Sequence, residues 1–163
     1  MPETLPAEDW KRGGNAVQNS LHIDVDHLLP VIDAQIVDAD LSASKARFSN
    51  NDPAGNLIPG AIDKVAALGA SIDDQGPWSG TMQMRYFGPR PLISNNTARS
   101  QSTLLWNARV GYRLDKSMRL TADLLNLFNR RANDIDYFYQ SQLRTEGAPV
   151  NDTHFHPVEP RSV

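Results

Sequence analysis

Three small groups of residues in this sequence have the types and spacing that chemistry uses. Asp152, His154 and His156 lie within one short stretch, and on an extended strand the two histidines share a side, as metal ligands would. Asp24, Asp26 and His27 form a similar cluster. Asp134 and Asp136 have the composition of the carboxylate pair of a hydrolase. None of the three is completed by its surroundings. No further ligands can be named for either histidine group, so an ordinary polar loop accounts for both. The Asp134/Asp136 pair sits beside Tyr137, Phe138 and Tyr139, where ligand contact is served as well as catalysis. The absence of cysteine removes a disulfide framework, a thiolate zinc site and a cysteine nucleophile together. With no Gly-rich phosphate loop and no nucleophile motif either, the expectation is a protein that is not an enzyme and has no cofactor and no metal.

The elements that would position these residues are strands. At 163 residues, 40% hydrophobic and 21% charged, the chain has a globular rather than a disordered composition. A net charge of -3 gives no basic footprint and argues against nucleic acid as a partner. Residues 1–14 lack a basic region followed by an apolar run, so no signal peptide is visible. No apolar stretch approaches the ~18 residues of a spanning helix, so any membrane role falls to strands. A mean hydropathy of -0.46 is compatible with that, because barrel strands alternate lipid-facing and lumen-facing side chains.

A period of two runs through the chain. Val37, Ala39, Leu41 and Ala43 alternate with Asp38, Asp40 and Ser42, and Trp78, Gly80, Met82, Met84 and Tyr86 alternate with Ser79, Thr81, Gln83 and Arg85. The clearest strand covers residues 104–114, with Leu104, Trp106, Ala108, Val110, Tyr112 and Leu114 opposite Asn107, Arg109, Gly111 and Arg113. Its length matches the ~9–11 residues with which a tilted strand crosses a bilayer. Asp115, Lys116 and Ser117 make a short turn into a further alternating run, Met118, Leu120, Ala122 and Leu124 against Arg119, Thr121 and Asp123, which predicts a hairpin. Residues 62–72 read as another strand through Ala66, Leu68, Ala70 and Ile72.

Residues 49–60 and 87–96 are rich in Asn, Gly and Pro and read as loops, and residues 130–157 as a longer one. Short turns at one end and long loops at the other suit an outer-membrane barrel. A soluble antiparallel sheet would show the same alternation. Two details favour the membrane. Trp78, Tyr86, Trp106, Tyr112 and Phe128 fall near strand ends, as interface aromatics do. Arg85, Asn107, Arg109 and Arg113 share polar faces that a wet lumen tolerates and a dry core does not.

Four blocks carry a resemblance: GNLIPGAIDKVAALGASIDD, WSGTMQMRYFGPRPL, STLLWNARVGYRLDKSMRLTADLLNLFNRRANDIDYFY and HFHPVEPRSV. In this order they resemble the last part of the barrel of TonB-dependent receptors. Asn126-Leu127-Phe128-Asn129 looks like that family's penultimate-strand signature, and residues 159–163 look like the start of its final strand. The resemblance spans residues 31–163, while residues 1–30 read as a poorly matched, divergent lead-in.

The resemblance implies an all-β fold: part of an antiparallel transmembrane β-barrel, built of long hairpins with long extracellular loops. It implies a role in active uptake of a scarce nutrient such as a ferric siderophore, in the outer membrane. The expected partners are outer-membrane lipid, the remaining barrel strands and the plug domain, with TonB acting only through that plug. Barrels of this size have about 22 strands; five strands and the start of a sixth are readable here, so the chain is expected to be a fragment lacking plug and final strand. The alternative is a soluble antiparallel β-sheet or small-barrel ligand-binding domain, which would turn the Leu104, Trp106, Ala108 and Val110 face inward. A metal-dependent enzyme built on His154 and His156 is the third reading.

Overall fold

The structure, a computed structural model, describes residues 16–26, 35–49 and 53–163. Every regular element among them is a strand: β1 Ala16–Asp26, β2 Gln35–Phe48, β3 Lys64–Gln75, β4 Trp78–Phe87, β5 Thr103–Arg113, β6 Arg119–Leu124, β7 Asn133–Ser141 and β8 Val150–Pro157. The first six form one antiparallel sheet in sequence order, and the last two form a separate hairpin. Among the described residues no helix is long and apolar enough to cross a membrane, which leaves crossing by strands open.

Consecutive pairing follows from short connections at one end of the sheet. Between β3 and β4 the chain reverses through Gly76 and Pro77, where Gly76 takes a φ of 66° that favours glycine. Between β5 and β6 it reverses through residues 114–118. There the Asp115 carboxylate accepts the main-chain N–H of Ser117 at 2.7 Å, the Ser117 hydroxyl at 2.8 Å and the Met118 N–H at 2.9 Å. At the opposite end the connections are long, and two of them brace each other. The Leu57 N–H donates to the Ser94 carbonyl at 3.1 Å and the Gly60 N–H to the Pro91 carbonyl at 2.8 Å.

Register decides which residues share a face. Directly opposed residues point to the same side of an antiparallel pair. The pairings Leu41↔Ala66, Ala66↔Tyr86, Tyr86↔Leu104, Leu68↔Met84, Met84↔Trp106, Gly80↔Val110 and Val110↔Ala122 therefore gather the apolar residues of β2 to β6 on one side. Among the described residues no second layer covers that side. Leu41, Leu68, Ile72, Met82, Val110 and Leu120 are all exposed, and Val110 keeps 43% of its surface. Buried hydrophobic residues among the described ones are confined to Leu92, Ile93 and Leu105, two of which lie in the β4–β5 connection. Among the described residues of this sheet Leu105 alone is a buried hydrophobic, so little of the apolar burial that drives a soluble domain is present. A soluble small barrel would require Val110 and its neighbours to be enclosed, and they are not.

Two sequence expectations change. Residues 130–157 do not form an irregular loop: β7 and β8 pair as a hairpin from Ser141↔Val150 down to Asn133↔Pro157. Alternating Tyr, Phe and Thr suit an extended, half-exposed ribbon, and the polar residues between them conceal that in a reading guided by loop composition. Residues 16–26, within the segment expected to be a divergent lead-in, form β1, paired with β2 from Ala16↔Phe48 to Asp26↔Asp38. β1 thus adds a sixth strand to the five that alternation predicts in this sheet, and residues 159–163, expected to begin a further strand, contribute the isolated bridge Leu125↔Ser162.

Candidate functional site

The side of the sheet opposite the apolar one carries the polar groups, and the structure gives each of the four expected lumen-facing residues a specific partner. Arg109 forms a two-point ion pair across the β5–β6 ladder, with Nε to Asp123 Oδ1 at 2.6 Å and Nη2 to Oδ2 at 3.1 Å. The two residues are directly opposed in register, so the fork of the guanidinium meets the carboxylate without bending either strand. Asn107 accepts the main-chain N–H of Asn126 on its Oδ1 at 3.0 Å, tying β5 to the turn after β6. Arg113 donates from Nη2 to the Gly76 carbonyl at 3.0 Å, bracing the neighbouring tight turn. Arg85 lies 3.9 Å from Asp134 at the foot of the β7–β8 hairpin and passes over the Phe87 ring at 5.3 Å.

These four residues form a line from the long-loop end to the tight-turn end. Between Arg85 and Arg113, a shallow groove of about 210 Å³ is bordered by Thr81, Gln83, Asn107, Arg109 and Asp123. Those five side chains can hydrogen-bond, while Ala108 and Leu125 complete the lining with apolar surface, so the groove is of mixed character. Sequence reading passed over Asp123 as a partner, although alternation placed it on the right face; only the register reveals that it stands opposite Arg109.

Of the four candidate interface aromatics, two are brought together. Trp78 and Tyr112 are directly paired at the tight-turn end and meet edge to face, with ring centroids 4.6 Å apart. Tyr86 lies eight residues from Trp78 on the same strand, about 27 Å away along it. With barrel strands tilted ~40°, that separation is about 21 Å across a bilayer, close to the ~25 Å apolar band of such proteins. Trp106 sits inside this interval, opposite Met84, with its ring 6.2 Å from Phe128.

Two of the groups that suggested catalysis, His154 with His156 and Asp134 with Asp136, do not assemble a centre. No cluster of three or more His, Cys, Asp or Glu suited to a metal ion occurs among the described residues. His154 stacks on Tyr139 at 3.9 Å, and His156 meets Tyr137 edge to face at 6.2 Å, so both imidazoles serve as planar packing partners. Asp136 is buried and accepts from Asn133 Nδ2 at 2.6 Å, while Asp134 faces Arg85, which separates the supposed pair. The Asp24, Asp26 and His27 group lies outside the residues whose side chains are described.

Turn chemistry after β6 explains the Asn126 to Asn129 signature. Asn126 and Asn129 both take φ near 49°, a left-handed conformation that asparagine tolerates better than most residues. Beyond this turn the chain returns to the open side of β6, where Leu125 and Ser162 exchange main-chain hydrogen bonds of 2.9 and 3.2 Å.

A two-faced antiparallel sheet with tight turns at one end and long loops at the other has the fold of a sector of a transmembrane β-barrel. Solved structures share this fold over most of the chain. The ferric citrate transporter FecA, in its unliganded form, matches over 91% of this chain with a TM-score of 0.67 at 21% sequence identity. The siderophore receptor PiuA from Acinetobacter baumannii also matches over 91%, with a TM-score of 0.67 at 12% identity. The ferric yersiniabactin uptake receptor FyuA from Yersinia pestis matches over 86%, with a TM-score of 0.65 at 17% identity. The chain spans 23%, 21% and 22% of the lengths of those three proteins. No protein-family profile matches it, and no curated protein matches it in sequence.

Proposed function

We propose that this chain is the carboxy-terminal part of the barrel wall of a TonB-dependent outer-membrane receptor for active uptake of a scarce nutrient such as a ferric siderophore, and that it is not an enzyme. The observation that carries the reading is the uncovered apolar face of β2 to β6, set back to back with a face of paired ions and amides. Lipid is the solvent that suits the first, and a water-filled lumen suits the second. An open sheet in lipid would leave edge N–H and C=O groups unpaired at several kcal/mol each, so the sector works with further strands that close the barrel.

In this reading Arg85, Asn107, Arg109 and Arg113 line the lumen, where the plug domain and the passing solute meet them. Trp78, Tyr86, Trp106 and Tyr112 face lipid, with Trp78 and Tyr112 at one interface and Tyr86 at the other. TonB acts through the plug and does not touch this sector. The β7–β8 hairpin stands on the extracellular side. Iron-chelate uptake is supported by what FecA, PiuA and FyuA share in their descriptions, a ferric or siderophore cargo.

The test is transport. The receptor containing these residues is produced in cells stripped of their own iron receptors and offered radio-iron bound to a siderophore. Uptake that disappears when TonB is deleted is the expected result. Failure to accumulate iron from any ferric chelate, with the protein present in the outer membrane, overturns the iron reading.

A further inference from the structure

The apolar face is not uniformly uncharged. Alternation along β2 places Lys45 and Arg47 on the same side as Leu41 and Ala43, and Ala43 is paired with Lys64 of β3. Three cations therefore stand at the long-loop end of a face that carries no charge on β3 from Ala66 to Ile72, nor on β4 or β5. Just below them the face is concave. Leu21, Ile23, Leu41 and Tyr86 border a groove of about 290 Å³ whose floor is lowered by Ala66 and whose rim is Lys64. Gly88 deepens the same place: it hydrogen-bonds to the Lys64 carbonyl at 2.8 Å, and a Cβ there would press on the Lys64 stem at 3.3 Å.

Depth makes the arrangement specific. Tyr86 is paired with Ala66, so Lys64 stands two residues, about 7 Å along the strand, beyond the level of the tyrosine ring. Lys45 stands about the same distance further out. Interface aromatics mark the boundary of the hydrocarbon, so both ammonium groups fall where lipid headgroups lie, with their stems along apolar surface. Among the described residues no carboxylate pairs with either lysine. Asp63, next to Lys64, lies 4.0 Å from Arg99, and Arg47 donates to Asn56 at 3.3 Å.

We infer that this end of the apolar face is a docking site for a phosphate-bearing lipid of the outer leaflet, its acyl chain in the Leu41/Ala66/Tyr86 groove and its phosphate between Lys45 and Lys64. The inference rests on the membrane orientation proposed above. Charge and shape select the same occupant: a free anion would leave the groove empty, and a neutral lipid would leave both ammonium groups without a counter-charge in a region of lowered dielectric.

The experiment uses the complete receptor that contains these residues, purified in neutral maltoside micelles doped with lipid A, with bound lipid counted by native mass spectrometry. Lipid A is expected to be retained by the unaltered receptor. Replacing both lysines, Lys45→Ala with Lys64→Ala, should weaken retention roughly 25-fold, about fivefold for each lysine near an anionic surface. Arginine at both positions should preserve retention, and Ala66→Trp, which fills the groove and keeps the charges, should reduce it. Unchanged retention by the double alanine variant overturns the inference, as does full displacement of lipid A by inorganic phosphate, which would mark an ion site. A separate measurement keeps the orientation distinct. Quenching of Trp78 and Trp106 fluorescence by brominated lipid is expected if the apolar face meets lipid, and its absence would fell the orientation itself.

Discussion

The side-chain amide of Asn126 donates to the main-chain carbonyl of Glu159 at 2.9 Å, joining two residues 33 positions apart. The same amide group donates to the Arg130 carbonyl at 3.0 Å and accepts the Arg130 N–H at 2.8 Å, and the side chain is almost wholly buried. A single asparagine thus fixes the turn after β6 and the place where the chain comes back to the sheet. Asn129 supports it by accepting the Arg161 N–H on its side-chain oxygen at 3.1 Å.

Asn126→Ala removes three side-chain hydrogen bonds and forces a left-handed φ on a residue with a Cβ and no compensating polar group. A loss of about 2–4 kcal/mol of unfolding free energy is expected. Asn126→Gly relieves the backbone and restores only a part of it. Urea unfolding in micelles measures the cost, and amide exchange at Ser162 reports whether its bridge to Leu125 has opened. Equal stability of the alanine and unaltered proteins would show that the lock carries no load.

Met82 and Gln83 are sequence neighbours on opposite faces at the middle of β4. Met82→Arg should therefore cost about 2–4 kcal/mol in a lipid bilayer, the penalty for a cation at the midplane of a barrel's outer surface. Gln83→Arg should be tolerated, because its face is wet. Folding in large vesicles across a urea series distinguishes them, and the same cost for both would contradict the assignment of faces.

Arg109 and Asp123 stand opposite each other on the polar face. Reversing one charge alone, Arg109→Asp or Asp123→Arg, puts like charges in register and should lower stability, whereas the double reversal should recover most of the loss. The recovery should shrink in high salt, since both groups are exposed. Additive effects of the two substitutions would mean the pair is not coupled.

The Asp115 carboxyl is held below the usual carboxylate range by the Ser117 N–H and hydroxyl, against an opposing desolvation and with a lesser contribution from the Met118 N–H. A group whose folded value is depressed contributes stability in full above its unfolded value and loses it as pH falls through the folded one. The β5–β6 turn should accordingly loosen only in acid, below the ordinary titration range of aspartate. Asp115→Asn keeps an acceptor without the charge and should flatten that part of the stability profile; an unchanged acid limb would remove Asp115 as its source.

Much of the sheet was legible from alternation. Residues 78–86 and 104–114 were read as strands whose structural limits, Trp78–Phe87 and Thr103–Arg113, differ by one residue at an end, because a period of two is enforced wherever two sides of a ribbon meet different solvents. β1 was harder to read. The β7–β8 hairpin was missed because its polar residues match loop composition, while its pairing depends on partners 9 to 24 residues away, from Ser141↔Val150 to Asn133↔Pro157.

By itself, the sequence determined that strands form, which residues share a side of each, and where the Asp115–Ser117 turn lies, since those follow from neighbours one or two positions apart. Tertiary structure alone decided which residues stand across from each other. Register matched Arg109 to Asp123, Trp78 to Tyr112 and Lys64 to Ala43, and left the apolar side without a covering layer. Hydrogen bonding between strands is the same for every residue type, so a ribbon's own pattern names its faces but not its partners; turn geometry and the long connections set those.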